Sequence, residues 1–327
     1  MTSVRRWLER AVTKHDYFHQ PHLAESDALD PSRSYYYDLR ARSRYNGPFE
    51  GQLPITDYGN NRFVNPVHAA QYGIGHLQRY WDTNDSALLA RASDVAEALI
   101  DLGSYERQGL VWRYPLVLQG QQDWLSAMAQ GQVASFLLRV AAATADSAIF
   151  EAARASLEVF RYDIADGGVR TWLCGHLWFE EYAVMQPPYT LNGFIIALLG
   201  LRDAGILLED AALIAHYEHG IDTLIAVLPL FDFNGWSRYD LSQRTVAGIS
   251  LRNLSSPFYH RFHVELLHVM AATTHAATFW RFLQGWQQGI EYGLLFYRAL
   301  AEKVLYRLMT PSPVTPGKAS RTPGTPT

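Results

Sequence analysis

From residue 66 onward the apolar positions recur at helical spacing. Val67, Ala70, Ile74 and Leu77 fall on one stripe, and Pro66 suits a first helical turn, where no N–H is needed. Asp85 reads as the N-cap of a second helix whose apolar face is Leu88, Ala92, Val95, Ala96 and Leu99. The same periodicity predicts helices over residues 125–142, 147–161, 189–204, 209–228 and 262–274, and a long final one over 277–308. Gly205 and Pro229 are stop signals. Short strand-like or turn segments separate the helices at 110–116, 168–181 and 231–241.

Ahead of this block, residues 3–15 suit a short amphipathic helix, 20–34 are loop-like and 35–39 read as a strand. Gly47-Pro48 and Gly59-Asn60-Asn61 are turn signals, so 35–64 reads as a β-hairpin region. Arg40, Arg42 and Arg44 alternate along it, either as one solvated strand face or as charge offered to a ligand. Helices joined by loops, without regular strand–helix repeats, argue against a parallel α/β sheet. The expected fold is mainly α: an (α/α) barrel or toroid, its functional loops at one end. The expected organisation is a helix and hairpin region over 1–64, the helical domain over 65–309, and a tail over 310–327. That tail holds Pro311, Pro313, Pro316, Pro323 and Pro326 and is too poor in apolar residues to order itself.

Composition narrows the function. With 327 residues, 48% of them apolar, the chain can bury a large core. With a net charge of −4 and no basic run, nothing points to a nucleic-acid surface, and any positive groove must be local. Nine Trp, nineteen Tyr and fifteen Phe suit either helical core packing or sugar stacking. The single cysteine, Cys174, forms no internal disulfide and reads as a small buried apolar residue. No apolar run reaches the roughly 20 residues of a membrane span. The N-terminus lacks the apolar core of a signal peptide, so a cytoplasmic location without membrane attachment is the expectation.

The stretch Trp178-Phe179-Glu180-Glu181-Tyr182 places two adjacent carboxylates among three aromatic rings. Unpaired buried charge is costly, and exposed rings leave apolar surface in water. Either the rings pack inward with the glutamates solvated, or a ligand cleft uses both. Asn192-Gly193-Phe194 follows closely. Three further stretches join it: Trp124 to Gln132, containing Met128-Ala129-Gln130-Gly131-Gln132; Tyr239-Asp240-Leu241; and Tyr259-His260-Arg261-Phe262-His263. Asn65-Pro66-Val67-His68-Ala69-Ala70-Gln71-Tyr72-Gly73 precedes them.

In this order and rough spacing, residues 35–275 resemble the C-terminal catalytic domain of D-glucuronyl C5-epimerases, which convert glucuronic to iduronic acid in heparan-type chains. The resemblance implies the (α/α)-barrel fold, an acidic polysaccharide substrate such as heparosan, no cofactor, and homodimer formation as a recurrent property of the family. It places catalytic roles on Glu181, Tyr182, Tyr239 and Tyr259. Animal members are membrane-anchored in the Golgi; the expectation for this chain is that it lacks their anchor and most of their N-terminal region. Two family arginines are replaced by Ser242 and Ser256, which bears on how acidic groups of the polymer are held; Arg244 and Arg252 are candidate stand-ins.

The chemistry such residues would serve is demanding. Removing the hydrogen from C5 of a uronate places charge on the adjacent carboxylate. One group must take that proton from one face, and another must return one to the opposite face. Donors or cations must meanwhile neutralise the carboxylate. Guided by the resemblance, Tyr259 and Glu181 are expected on opposite faces, with Tyr182 and Tyr239 donating to the carboxylate or relaying protons. His260 and His263 share a helix face, for substrate contact or for packing. Without a third nearby ligand they match no zinc pattern, and no metal is expected. Asn65, Gln71, Gln130, Gln132 and Asn192 suit sugar hydroxyls, or helix caps and buried amides. Trp124 and Trp178 suit sugar stacking or the core. Other readings are a polysaccharide lyase, which shares the proton abstraction, and an inactive glycan-binding homologue. A glycoside hydrolase is disfavoured, because Glu180 and Glu181 point to opposite faces if extended.

Overall fold

The computed structural model describes residues 30–58, 61–246, 248–291, 293–309 and 314–316. Among these residues the chain is mainly helical, with nine α-helices. They are α1 Pro66–Thr83, α2 Ser86–Leu102, α3 Ala127–Thr144, α4 Ser147–Ser156, α5 Leu191–Leu207, α6 Ala211–Val227, α7 Pro257–Thr274, α8 Ala277–Glu291 and α9 Gly293–Met309. The strands are β1 Phe49–Glu50, β2 Leu53–Tyr58, β3 Asn61–Val64, β4 Ser104–Glu106, β5 Gly109–Val111, β6 Tyr114–Leu118, β7 Gln121–Trp124, β8 Arg170–Leu173, β9 His176–Phe179, β10 Arg238–Val246, β11 Ile249–Leu254 and β12 Val314–Pro316. Three pairs, β4-β5, β8-β9 and β10-β11, form two-stranded antiparallel hairpins; β1-β2-β3 and β12-β6-β7 are three-stranded.

Consecutive helices pack in pairs: α1 with α2, α3 with α4, α5 with α6, and α7 with α8. The first members of these pairs neighbour one another, α3 against α1 and α5, and α5 against α7. The division follows from sequence. Every residue of α5 from Leu191 to Leu201 is buried, as expected for a helix apolar on all sides. By contrast, α2 buries only the stripe Leu88, Ala92, Val95, Ala96 and Leu99, behind the Asp85 cap whose carboxylate accepts the Ala87 N–H. The α3–α5 crossing is close enough that a Cβ on Gly200 would lie 2.3 Å from the Gly131 carbonyl oxygen.

Residues 35–39 are not a strand. Tyr35, Tyr36 and Tyr37 are buried as a plug against the inner helices, and Arg40–Arg44 forms a 3-10 helix. Polar groups inside the helical layer hold this plug. Gln78 exchanges hydrogen bonds with the Leu39 N–H (2.7 Å) and the Tyr37 carbonyl (2.9 Å). Asp203 accepts from the Tyr36 hydroxyl at 2.6 Å and pairs with buried Arg139 at 2.7 Å. Satisfied in this way, the buried charges do not carry the full desolvation penalty.

Other boundaries also move. Helix α7 begins at Pro257 rather than near 262, because Ser256 supplies the cap. The single long helix expected over 277–308 is two helices, with Tyr292 outside the described residues. Of the tail, Val314–Pro316 pairs with β6 as an edge strand; residues 3–15 and the rest of 310–327 lie outside the described residues. Cys174 is exposed, at positive φ in the β8–β9 turn, not buried.

Candidate active site

A cleft of about 360 Å³ opens where the N-terminal ends of four inner helices meet. Asn65, Val67 and His68 come from the start of α1, Ser126 and Met128 from α3, Asn192 from α5, and Phe258 and Tyr259 from α7. Glu181 and Tyr182 enter on the loop after β9. Each helix start turns the positive end of its dipole toward the cleft. Converging four of them makes the cleft locally attractive to anions although the chain is net acidic.

Backbone stitching explains why distant sequence blocks meet here. The Ala127 N–H donates to the Glu180 carbonyl and the Ala183 N–H to the Leu125 carbonyl, both at 3.0 Å. The Leu241 N–H donates to the Pro188 carbonyl at 2.9 Å, drawing β10 to the loop before α5. Ladder register shifts between Arg238 and Gln243, so Tyr239 lies in an irregular stretch of the kind that re-aims side chains.

The adjacent glutamates part company. Glu180 is fully buried and anchors the loop: its carboxylate accepts from the N–H groups of Tyr182 (3.2 Å), Tyr189 (2.8 Å) and Thr190 (3.4 Å). Burial raises its pKa to about 8. Glu181 faces the cleft and accepts from Asn192 Nδ2 at 3.1 Å. Burial raises its pKa to about 7, against hydrogen bonds from Tyr182 and Asn192 that favour the charged form. A carboxylate poised there can take and return protons near neutral pH.

Tyr182 and Tyr259 line the cleft, and Tyr239 stands one layer behind them. The Tyr239 and Tyr182 hydroxyls are 3.1 Å apart. Its ring meets that of Tyr259 edge-on, with centroids 4.8 Å apart. Burial, then the Glu181 charge, pushes the Tyr239 phenol well above its usual range, so it stays protonated as a donor. On its other side sits the buried Lys303 of α9, with Nζ 5.4 Å from the Tyr239 ring centroid. Lys303 donates to Asn253 Oδ1, and Asn253 Nδ2 donates to Asp240 at 2.7 Å.

Among the proposed contact residues, the cleft gathers Asn65, Gln71, Trp124 and Asn192. Asn65 also caps α1 through the Val67 N–H (3.0 Å), and Trp124 stacks on Tyr114 with centroids 4.4 Å apart. The remainder are placed elsewhere. Gln130 is spent on backbone, donating to the Leu110 and Ser156 carbonyls and accepting from the Trp112 N–H. Gln132 donates to the Tyr35 and Tyr37 hydroxyls. Trp178 is sandwiched between Phe194 and Phe231 in the core. His260 accepts the Ser237 N–H at Nδ1, which leaves Nε2–H to donate to the Trp286 carbonyl; burial holds its pKa at about 3. His263 is buried beside the Ser237 and Ser255 hydroxyls, and Arg244 is exposed on β10. None of these six lines the cleft.

Conversely, the cleft recruits residues beyond those given site roles. Phe63, Tyr114, Leu116, Phe258 and Phe262 add apolar wall, Thr56 and His68 add polar groups, and Arg42, read either as solvated or as charge offered to a ligand, lines it too. Phe262 was findable: it lies three residues beyond Tyr259, on the same helix face. Ser256, where the family resemblance suggested arginine, caps α7 and accepts the Tyr259 N–H at 3.4 Å. Among the described residues no cluster of three or more His, Cys, Asp or Glu could hold a metal ion, and no helix is long and apolar enough to cross a membrane.

Comparison with known proteins bears directly on this cleft. The family profile described as D-glucuronyl C5-epimerase C-terminus matches residues 106–288. The D-glucuronyl C5-epimerase of Caenorhabditis elegans is 35% identical over 162 residues, 45% of this chain and 26% of that protein. An uncharacterized protein of Methanocaldococcus jannaschii is 31% identical over 138 residues, 40% of this chain and 45% of that one. The matched regions thus span about a quarter and under half of those two relatives.

Proposed function

The chain belongs to the D-glucuronyl C5-epimerase C-terminal family, and from that premise we propose that it is an isomerase inverting C5 of glucuronate units in a heparosan-like polysaccharide. The observation that carries this reading is that Glu181 and Tyr259, from a loop and a helix start far apart in sequence, line one cleft with the Tyr182–Tyr239 hydroxyl pair beside them. The same reading takes the four helix hairpins as part of an α/α toroid.

In this account one of Glu181 and Tyr259 takes the C5 proton. The C–H electron pair moves into the C5–carboxyl bond, giving an enediolate, and the other residue delivers a proton to the opposite face. Tyr182, paired with the protonated Tyr239, donates to the developing oxyanion, and the helix N-termini favour the same charge. Glu181 suits the part because its pKa near 7 leaves both protonation states accessible. Incubation of glucuronate polymers in heavy water tests the reading: exchange at C5 with chain length preserved supports epimerisation, whereas formation of an unsaturated uronate indicates a lyase.

A further inference from the structure

The family match begins at residue 106, yet one wall of the cleft is built from residues 42–71. This wall carries a distinct set of polar groups. Arg42, on the 3-10 helix, is the single arginine or lysine among the described residues lining the cleft. Thr56 on β2 and His68 in the first turn of α1 stand with it, and the Thr56 hydroxyl and His68 Nδ1 are 3.0 Å apart. His68 Nε2 is buried and has no hydrogen-bond partner among the described residues. The imidazole is held neutral, pushed to about 4 by burial and by the neighbouring Arg42 charge; in the tautomer in which Thr56 donates to Nδ1, it presents an Nε2–H.

We propose that Arg42 and His68 form the carboxylate-recognition subsite of the cleft, Arg42 pairing with a uronate carboxylate and His68 Nε2–H donating to it. The inference rests on the uronate reading above and deepens it. A largely buried guanidinium gains most from a carboxylate, which offers two acceptors in a geometry that matches its fork. An Nε2–H without a partner gains a hydrogen bond once an acceptor arrives. Glu181, also in the lining, serves the C5 hydrogen in this reading, so Arg42 and His68 would hold the carboxylate oxygen that the Tyr182–Tyr239 pair does not. Selection for an acidic sugar is therefore assigned to the segment outside the family match, and the proton chemistry to the segment inside it.

The test compares binding of two probes by calorimetry. One is a tetrasaccharide of alternating glucuronate and N-acetylglucosamine, and the other is the same molecule with its carboxyls reduced to alcohols. Wild-type protein is expected to prefer the acid by about 10- to 100-fold, the range for a hydrogen bond to a charged group. Arg42→Gln should collapse that preference to near unity, Arg42→Lys should keep part of it, and His68→Gln should reduce it by less than Arg42→Gln. A merely structural role would weaken both probes alike and leave the ratio unchanged. Wild type without preference for the acid, or Arg42→Gln with the wild-type ratio, overturns the subsite. Exchange at C5 is measured on the same samples and separates the two claims. Exchange with an unchanged ratio in Arg42→Gln sinks the subsite alone; a collapsed ratio without exchange in wild type sinks the epimerase reading alone.

Discussion

Gly193 is pressed against Glu181: a Cβ built on the glycine would lie 2.3 Å from the Glu181 Cβ and 2.5 Å from its Oε2. The glycine of Asn192-Gly193-Phe194 is thus a space requirement of the carboxylate, while Asn192 supplies its hydrogen bond. Gly193→Ala is expected to displace Glu181, cost about 1–3 kcal/mol of stability through overpacking, and cut C5 exchange at least tenfold. Urea unfolding and exchange kinetics on the one variant check both effects.

Burial of Glu181 makes stability depend on pH in a defined direction. Its pKa is about 7 in the folded protein against an ordinary 4.5. Between those values the folded state holds the proton that the unfolded state has released, so stability falls as pH rises. Glu181→Gln removes the ionisation. Its stability relative to wild type should therefore be higher at pH 8.5 than at pH 4.5, by about 3 kcal/mol from Glu181 itself. Glu180, whose pKa is raised to about 8 by burial and in part by the Glu181 charge, is relieved of that charge in the variant, which adds to the difference in the same direction. Thermal melts across that range give the result; a difference independent of pH would show that Glu181 is not held protonated by its surroundings.

Asp203 is a structural keystone away from the cleft. It accepts from Arg139, the Tyr36 hydroxyl and the Ser135 hydroxyl, with both charged side chains about 1% exposed. Asp203→Ala leaves the Arg139 guanidinium buried without its anion and is expected to cost about 3–5 kcal/mol. Because the same residues hold the Tyr35–Tyr37 plug, the variant should also increase proteolysis near residue 35. Denaturant midpoints and limited proteolysis report on each consequence.

Much of this architecture was legible in the sequence because it is local. The Asp85 cap, the α2 stripe and the start of α1 at Pro66 follow from spacing and cap chemistry alone. Glu181, Tyr182, Asn192 and Tyr259 were found through short motifs, and all four line the cleft. What failed depends on long-range packing. An amide in a helix reads the same whether it faces a ligand or satisfies backbone, and Gln130 does the latter across three separate segments. Trp178 looked like a stacking platform until Phe194 and Phe231, well beyond it in the chain, closed over both faces. Arg42 was left between a solvated strand face and charge offered to a ligand; a 3-10 helix carries it instead of a strand, and it lines the cleft. Lys303 lies on α9, beyond every recognised motif, and only the fold brings it behind Tyr239.

The Tyr182–Tyr239 hydroxyl pair predicts a graded loss. Tyr239→Phe removes one hydroxyl from behind the cleft and leaves Tyr182 in place, so exchange should fall by about 10- to 100-fold, with substrate affinity little changed. Steady-state kinetics that show KM rising while kcat holds would place Tyr239 in binding rather than in charge stabilisation.

Deuterium incorporation at C5, followed by NMR on heparosan and its N-sulfated form in heavy water, bears most directly on the central claim. Wild-type protein should incorporate deuterium with chain length unchanged, and a folded Tyr259→Phe variant should not. Undiminished incorporation in that variant, or none by folded wild type on either polymer, would contradict a carboxyl and a phenol acting together on an acidic carbon.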